Sequence, residues 1–185
     1  MFFKIVNFIP NDCLENIFQI DYNNLYKNGK RVIFIDLDNT LIPYDQIYIN
    51  DKIEVLFEEI RSYGLEIVII SNNKKSRIEA FLNGYNIPFV YKATKPLNRG
   101  FKKALNIYSD ITRKEVIVIG DQIITDVLGA KRMGIDVILV KPIKKNTEKW
   151  YTKVLRYFEK KALNKIKKYD ITIYSNIISV IGEHN

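Results

Sequence analysis

The apolar residues of this chain fall into short continuous runs separated by polar, helix-forming stretches. Such runs are typical of parallel strands that are buried on both faces of a sheet. They predict strands at about 31–36, 65–70, 88–91, 115–119 and 136–140. Helices are expected between them at about 51–63, 74–83, 97–108 and 123–133. This alternation predicts an α/β fold, a doubly wound parallel sheet with helices on both faces in a Rossmann-like three-layer sandwich.

Both ends of the chain add elements to this pattern. A helix is expected near 11–27, and Gly29 is placed to end it. The segment 147–168 is predicted to be a basic amphipathic helix, whereas 171–181 fits either a strand or a short helix. The apolar stripe of the basic helix comprises Tyr151, Val154, Leu155, Phe158, Ala162 and Ile166. Most of its basic residues lie elsewhere on the helix: Lys149, Lys153, Arg156, Lys160, Lys167 and Lys168.

Composition limits the classes of protein that remain. The 185 residues are 47% hydrophobic, which is enough for a single α/β domain over residues 1–185. The apolar runs are too short to span a bilayer, and the start resembles no signal peptide, so we expect a cytoplasmic protein. The single cysteine, Cys13, permits no internal disulfide. His184 is the only histidine, which argues against histidine-based catalysis, and a P-loop sequence is absent.

The positive charge is concentrated in one late segment. The net charge is +8, yet residues 1–140 carry 18 basic and 17 acidic side chains. Residues 141–168 carry 11 basic and 2 acidic side chains. Two interpretations of this segment remain open. Its apolar stripe packs on the sheet and its lysines only keep the protein soluble, or its cationic face also makes peripheral contact with an anionic membrane. It contains no recognisable nucleic-acid recognition motif, so no nucleic-acid partner is expected.

The first candidate for chemistry is the acidic stretch Asp36-Leu37-Asp38-Asn39-Thr40, which directly follows the apolar run at 32–35. Two carboxylates at the end of a strand can both face one site. One can attack an electrophile while the other transfers a proton, and together they attract a hard divalent cation. An isolated Asp-x-Asp is more often an acidic turn that closes a strand, so the interpretation depends on what accompanies it.

Three further polar clusters also follow predicted strands. They are Ser71-Asn72-Asn73, Lys92-Ala93-Thr94-Lys95-Pro96 and Gly120-Asp121-Gln122-Ile123-Ile124-Thr125-Asp126. Alone, each is usually a helix cap, a solvated lysine or a turn. Ligands of open α/β sheets bind outside the carboxyl ends of the strands, however, and all four clusters fall there. Their joint order therefore predicts one site.

That order resembles the motifs of the haloacid dehalogenase-like phosphatases: Asp-x-Asp-x-Thr, a strand-end Ser or Thr, a Lys, and Gly-Asp-x3–4-Asp. Here the motifs stand as Asp36–Thr40, Ser71, Lys95 and Gly120–Asp126. Within that superfamily, the chain is similar to the YqeG-type subclass IIIA phosphatases over roughly residues 8–165. That family is related to the phosphatidylglycerophosphate phosphatases.

The resemblance implies a role for each matched residue. Asp36 would form an aspartyl-phosphate, and Asp38 would protonate the leaving group and then activate water. Mg2+ would be held by the Asp36 carboxylate, the Asp38 backbone carbonyl and Asp121. Lys95, positioned by Asp126 or a neighbour, would neutralise the transferring charge. The residues expected to bind the phosphoryl group are Thr40, Ser71 and Asn72.

The spacing of the motifs leaves no room for a cap domain. Asp36 is 35 positions before Ser71, and Ser71 is 24 positions before Lys95. A capless site is open to large substrates or lipid headgroups, whereas small metabolites are normally enclosed. Together with the resemblance, this predicts that phosphatidylglycerophosphate is dephosphorylated to phosphatidylglycerol.

Several alternatives remain at this point. One is a phosphatase that acts on a soluble nucleotide, sugar phosphate or phosphoprotein. A second is a signalling receiver domain, but the third predicted strand ends in Lys92-Ala93-Thr94, without the Asp that such domains phosphorylate. A third is a nucleic-acid-binding module, which would leave the four clusters unexplained.

Overall fold

A parallel sheet of six strands lies at the centre of this computed structural model, which describes residues 4–144 and 150–182, without the side chains of 150–156. The strands are β1 (Asp12–Leu14), β2 (Val32–Ile35), β3 (Glu66–Ile70), β4 (Phe89–Val90), β5 (Val116–Gly120) and β6 (Asp136–Val140). Their spatial order is β1-β6-β5-β2-β3-β4, and every neighbouring pair is parallel. This confirms the predicted α/β fold.

Within residues 4–144 and 150–182, seven α-helices surround the sheet. They are α1 (Tyr22–Lys27), α2 (Asp51–Ser62), α3 (Lys75–Phe81), α4 (Asn98–Leu105), α5 (Leu128–Arg132), α6 (Trp150–Tyr169) and α7 (Ile171–Ile181). A π-helical turn over Ile123–Val127 leads directly into α5. Short 3-10 turns occur at Ile5–Phe8, Ile17–Gln19 and Arg113–Glu115.

The sheet is covered on both faces because successive side chains of a strand point in opposite directions. One core contains alternate strand residues such as Ile33 and Ile67, together with Phe57 of α2 and Phe81 of α3. The other core contains the intervening residues such as Phe34 and Val118, packed against α4, α5, α6 and α7. The central strands β2 and β5 carry no polar side chain because each of their residues is buried on one face or the other.

The predicted helix over 11–27 is wrong for its first half. Residues Asp12–Leu14 form the edge strand β1, which pairs with Ile138–Val140 of β6. This long-range pairing overrides the local helical pattern. Only Tyr22–Lys27 is α-helical, and Gly29 follows it with a φ of +84°, so the predicted end of the helix is confirmed.

The two C-terminal helices belong to the core. The helix predicted over 147–168 corresponds to α6, Trp150–Tyr169. Ala162 and Ile166 are buried as expected, whereas Phe158 is half exposed. Lys149 lies outside the described residues, as do the side chains of Tyr151, Lys153, Val154, Leu155 and Arg156. The undecided segment 171–181 is helix α7, whose first turn is capped by Asp170. The shared core supports the proposal of a single domain.

No cap domain separates the four clusters. Residues 36–71 are all described and contain only a loop, α2 and β3, and residues 71–95 contain only α3 and β4. Among the described residues, no helix has the length and apolarity needed to cross a bilayer.

Candidate active site

The four polar clusters meet at the carboxyl edge of the sheet. Asp36 directly follows β2, and Asp121 directly follows β5, the neighbouring central strand. Strands β2, β3 and β4 follow one another in one direction across the sheet, and β5 and β6 follow one another in the other, with β1 at the edge beyond β6. The two aspartates therefore flank the point where strand order reverses, where open α/β sheets bind ligands.

The acidic stretch bends sharply after β2. Asn39 has a φ of +67°, a left-handed conformation that Asn adopts more readily than most residues. Its backbone N–H donates to the Ile42 carbonyl at 2.7 Å, which closes the turn. As a result, Asp36, Asp38 and Thr40 are all buried at the site.

Three buried carboxylates form a compact cluster. Oxygens of Asp36, Asp121 and Asp126 all lie within 4.8 Å of one another. The Thr40 hydroxyl donates to Asp121 Oδ1 at 3.3 Å. The sequence predicted a metal site of the Asp36 carboxylate, the Asp38 backbone carbonyl and Asp121. The structure brings the Asp36 and Asp121 carboxylates together and adds Asp126 to the cluster.

A single buried ammonium lies among these carboxylates. Lys95 Nζ donates to Asp36 Oδ1 at 2.6 Å and to Asp126 Oδ1 at 2.5 Å, and its side chain is only 3% exposed. Burial disfavours the charged form of Lys95, but Asp126 and Asp36 more than offset this, so its pKa is raised. Lys95 is thus held as a cation.

Negative charge exceeds positive charge in the cluster. Burial raises the pKa of Asp36 to about 7; Lys95 opposes this rise, and repulsion by Asp126 and Asp38 adds to it. Burial also raises the pKa of Asp121 well above its usual range, together with repulsion by Asp36 and Asp126. An oxygen-rich site with uncompensated negative charge suits a hard divalent cation.

Asp126 is fixed by the π-helical turn that replaces the start of the predicted helix 123–133. Its Oδ2 accepts hydrogen bonds from the Gln122 backbone and the Thr125 hydroxyl, both at 3.1 Å. A Cβ added at Gly120 would lie 2.4 Å from Asp126 Cγ, so only glycine permits this approach. π-helical turns often occur at functional sites.

Asn72 positions the lysine loop in the structure. Its Oδ1 accepts from the Lys95 backbone N–H at 2.7 Å, and its Nδ2 donates to the Lys95 carbonyl at 3.1 Å. These two bonds form because β3 and β4 are neighbours and their loops meet here. The sequence predicted that Asn72 binds phosphoryl oxygens, and this stays a prediction.

Asp38 is held by three donors. Arg77 Nε donates to Asp38 Oδ1 at 2.7 Å, and Asn73 Nδ2 donates to Asp38 Oδ2 at 3.1 Å. Ser71 Oγ lies 3.5 Å from the same Oδ2. Arg77 was missed by the sequence analysis because no sequence spacing marks a contact that depends on the orientation of α3.

Glu159 of α6 also reaches the site. Its Oε1 accepts from the backbone N–H of Ile123 at 2.8 Å, two residues after Asp121. The side chain is buried, unlike most glutamates. The sequence did contain a signal for this contact, since Glu159 shares a helix face with Ala162 and Ile166.

The family of the chain is shown by a match to a family model. This model, described as haloacid dehalogenase-like hydrolase, matches residues 5–134, and the chain belongs to this family. The predicted recognition is thereby confirmed at the level of the superfamily.

Two relatives of the chain are named as phosphatases. The chain is 35% identical to the probable phosphatase YqeG of Bacillus subtilis (strain 168), over 87% of this chain and 92% of that protein. It is 23% identical to phosphatidylglycerophosphate phosphatase 1, chloroplastic/mitochondrial, of Arabidopsis thaliana, over 94% of this chain and 53% of that protein. This chain thus spans about half of the plant protein. The comparisons confirm the predicted enzyme class, a haloacid dehalogenase-like phosphatase.

The fold is also similar to that of a solved structure. An uncharacterized protein from Listeria monocytogenes serotype 4b matches with a TM-score of 0.51 and 17% identity, over 64% of this chain and 84% of that one. At this identity the likeness concerns the fold alone.

Proposed function

We propose that this chain is a Mg2+-dependent phosphomonoesterase that acts through an aspartyl-phosphate. The observation that carries the proposal is the buried cluster of Asp36, Asp121 and Asp126 around Lys95, at the reversal point of the sheet. Phosphoryl transfer requires mainly positioning and neutralisation of charge, and this arrangement supplies both.

In the first step, the Asp36 carboxylate attacks phosphorus and a P–O bond to the leaving alcohol breaks. Asp38 gives a proton to the departing oxygen. Lys95 holds Asp36 in place and offsets charge on the phosphoryl oxygens, and Asp126 holds Lys95. The hydroxyls of Ser71 and Thr40, which donate to Asp38 and Asp121 in the structure, turn to the phosphoryl group when it binds.

In the second step, water attacks the phosphorus of the aspartyl-phosphate. Asp38, now ionised, takes the proton from this water, and the bond between phosphorus and Asp36 breaks. Inorganic phosphate leaves, and the Asp36 carboxylate is regenerated. Asn73 keeps the Asp38 carboxylate oriented through both steps.

The donor set fits Mg2+. Its clustered oxygens are all of the hard type that this ion prefers, and the excess of buried negative charge requires a counter-ion. We propose Asp36, Asp121 and the Asp38 backbone carbonyl as ligands. When bound, Mg2+ supplies charge neutralisation to the transferring phosphoryl group.

Removal of metal provides the direct test. After treatment with EDTA, release of phosphate from p-nitrophenyl phosphate is expected to fall at least about a hundredfold. Mg2+ should restore it, whereas Ca2+ should not, because Ca2+ accepts more ligands at longer distances. Mg2+ should also raise the unfolding temperature of the chelated protein, since it binds the native state. Full activity in excess EDTA would contradict the proposal.

We propose phosphatidylglycerophosphate as the substrate. The plant relative bears the name of a phosphatase of that lipid. The capless site supports access by a large headgroup. A groove of about 300 Å³ beside the site loops adds further support, because its apolar floor is bordered by Lys161 and Lys165. The floor comprises Phe8, Pro96, Ile124, Leu128, Phe158 and Ala162.

Contact with an anionic membrane follows from the exposed lysines of α6, which are Lys160, Lys161, Lys165, Lys167 and Lys168. Each basic side chain near such a surface contributes about 1 kcal/mol. We therefore expect salt-sensitive binding to vesicles that contain phosphatidylglycerol. The double variant Lys161→Gln/Lys165→Gln should bind about thirtyfold more weakly in a co-sedimentation assay.

A matched control removes the same charge elsewhere. Lys102 and Lys103 are exposed on α4, so Lys102→Gln/Lys103→Gln should bind vesicles more like the wild type. Activity on p-nitrophenyl phosphate should survive in both double variants. If the wild type ignores anionic vesicles at low salt, the membrane proposal fails and a soluble substrate is favoured.

A further inference from the structure

Arg77 is a partly buried cation beside the site. It lies on α3 and is 15% exposed, while its partner Asp38 is 6% exposed. Its Nε donates to Asp38 Oδ1 at 2.7 Å, and its Nη2 donates to the Pro43 carbonyl at 3.3 Å. The guanidinium carbon lies 5.9 Å from the centre of the Tyr44 ring. The backbone and the ring thus hold the guanidinium in place independently of Asp38.

We propose that Arg77 forms a second anion subsite, which binds an anionic group carried by the leaving alcohol of the substrate. This inference rests on the proposed phosphatase function. It concerns which phosphomonoesters the site accepts and leaves the chemistry of the transferring phosphoryl group unchanged.

The contact between Arg77 and Asp38 indicates where Arg77 lies relative to the substrate. In the proposed mechanism Asp38 gives its proton to the leaving oxygen, so Asp38 lies on the leaving-group side of phosphorus. Arg77 contacts Asp38 Oδ1, whereas Ser71 contacts Oδ2 and faces the phosphoryl group, so we place Arg77 on the leaving-group side too. Lys95, in contrast, contacts Asp36 and Asp126, on the side of the nucleophile. The two cations therefore serve different parts of the substrate.

The guanidinium has the donors that this role requires. Arginine carries five N–H donors in a planar fork that matches carboxylate and phosphate groups. Two of these donors make hydrogen bonds to described residues. An anionic group of the substrate can engage the remaining donors and compete with Asp38 for the fork. This exchange frees Asp38 Oδ1 for the leaving oxygen, so binding of the correct substrate prepares the acid.

A simpler reading is that Arg77 only orients Asp38. The two readings differ in their dependence on the substrate. An orienting residue affects every phosphomonoester equally, whereas a subsite affects only those with a second anion.

The test compares two probes that differ at one carbon of the leaving group. 3-Phosphoglycerate bears a carboxylate where glycerol 3-phosphate bears a hydroxymethyl group. The wild type should show a kcat/KM at least about tenfold higher for 3-phosphoglycerate. Arg77→Gln should lower kcat/KM for 3-phosphoglycerate about 10- to 100-fold more than for glycerol 3-phosphate. The ratio is measured within each preparation, so partial unfolding of the variant cancels.

Lys75→Gln is the matched control. Lys75 lies on the same helix, is exposed, and pairs with Glu79 at 2.9 Å, so this change removes one positive charge without touching Asp38. It should preserve the preference for 3-phosphoglycerate. Equal use of the two probes by the wild type, or an equal loss on both in Arg77→Gln, would overturn the subsite.

Binding separates the subsite from the phosphatase proposal. In an Asp36→Asn background, calorimetry should show tighter binding of 3-phosphoglycerate than of glycerol 3-phosphate, and Arg77→Gln should abolish the difference. If this preference holds while the wild type hydrolyses no phosphomonoester, the function is wrong and the subsite stands. If the wild type hydrolyses both probes without any preference in binding, the subsite is wrong and the function stands.

Discussion

Asp36→Asn is expected to lower phosphate release by at least about a thousandfold while the protein stays folded. An amide is a poor nucleophile, so the aspartyl-phosphate cannot form. The change also removes one of the three clustered carboxylates. The rate should be measured as phosphate released from p-nitrophenyl phosphate at saturating Mg2+.

The stability of Asp36→Asn should depend on pH. Burial raises the pKa of Asp36 to about 7, above that of an unfolded aspartate. A carboxyl group with a raised pKa stabilises the fold when protonated, and this contribution is lost as the pH rises towards 7. Asparagine stays neutral, so without metal the unfolding temperature of the variant relative to the wild type should rise between about pH 4 and pH 7 and level off above that.

A control for Asp36→Asn lies on the following loop. Asp45 is exposed and pairs with Lys144 at 2.5 Å, so Asp45→Asn should retain activity. Near-wild-type turnover by Asp36→Asn would refute the proposed nucleophile.

Lys95→Met is expected to have the largest effect on stability. The change leaves Asp36 and Asp126 buried without their cation. Removal of one partner of a buried ion pair costs about 3–5 kcal/mol in the free energy of unfolding. Urea denaturation in EDTA measures this loss, and activity should fall at least about a thousandfold because the transferring charge is no longer neutralised.

A second substitution shows whether the lost stability of Lys95→Met comes from charge or from packing. Lys95→Met/Asp126→Asn should regain part of the lost stability, because one uncompensated carboxylate is also removed. Lys92 lies on the same loop but is exposed, so Lys92→Met should be close to the wild type in both assays. If Lys95→Met is as stable as the wild type, the buried charge balance described above is wrong.

The sheet was predictable from sequence because its strands are apolar on both faces and end in polar clusters. The edge strand β1 was not, since Asp12–Leu14 is too short to show a pattern and is defined by its pairing with β6. Helix α7 was left open because its apolar residues fit either period. The backbone N–H groups of Thr172 and Ile173 donate to Asp170 Oδ1, and this cap favours the helix.

Some residues of the candidate site were also predictable from the sequence, and others were not. Asp36, Ser71, Lys95 and Asp121 follow strands, and parallel strands bring their carboxyl ends together whatever the details of packing. Arg77 and Glu159 come from helices, so their contacts depend on how each helix is rotated and placed over the sheet. Asn72 and Asn73 are adjacent in sequence, and only the path of the loop decides that Asn73 faces Asp38.

The hydrogen bond from the backbone N–H of Ile123 to Glu159 connects helix α6 directly to the segment that carries Asp121 and Asp126. Glu159 lies on the same helix as Lys161 and Lys165, and Ile124 lines the groove that these lysines border. Suppose that the proposed lipid contact at α6 tightens the loop that carries Asp121. It would then strengthen metal binding, and metal would strengthen attachment to the surface by the same factor. Under the proposed function, activity would be highest at the membrane surface itself.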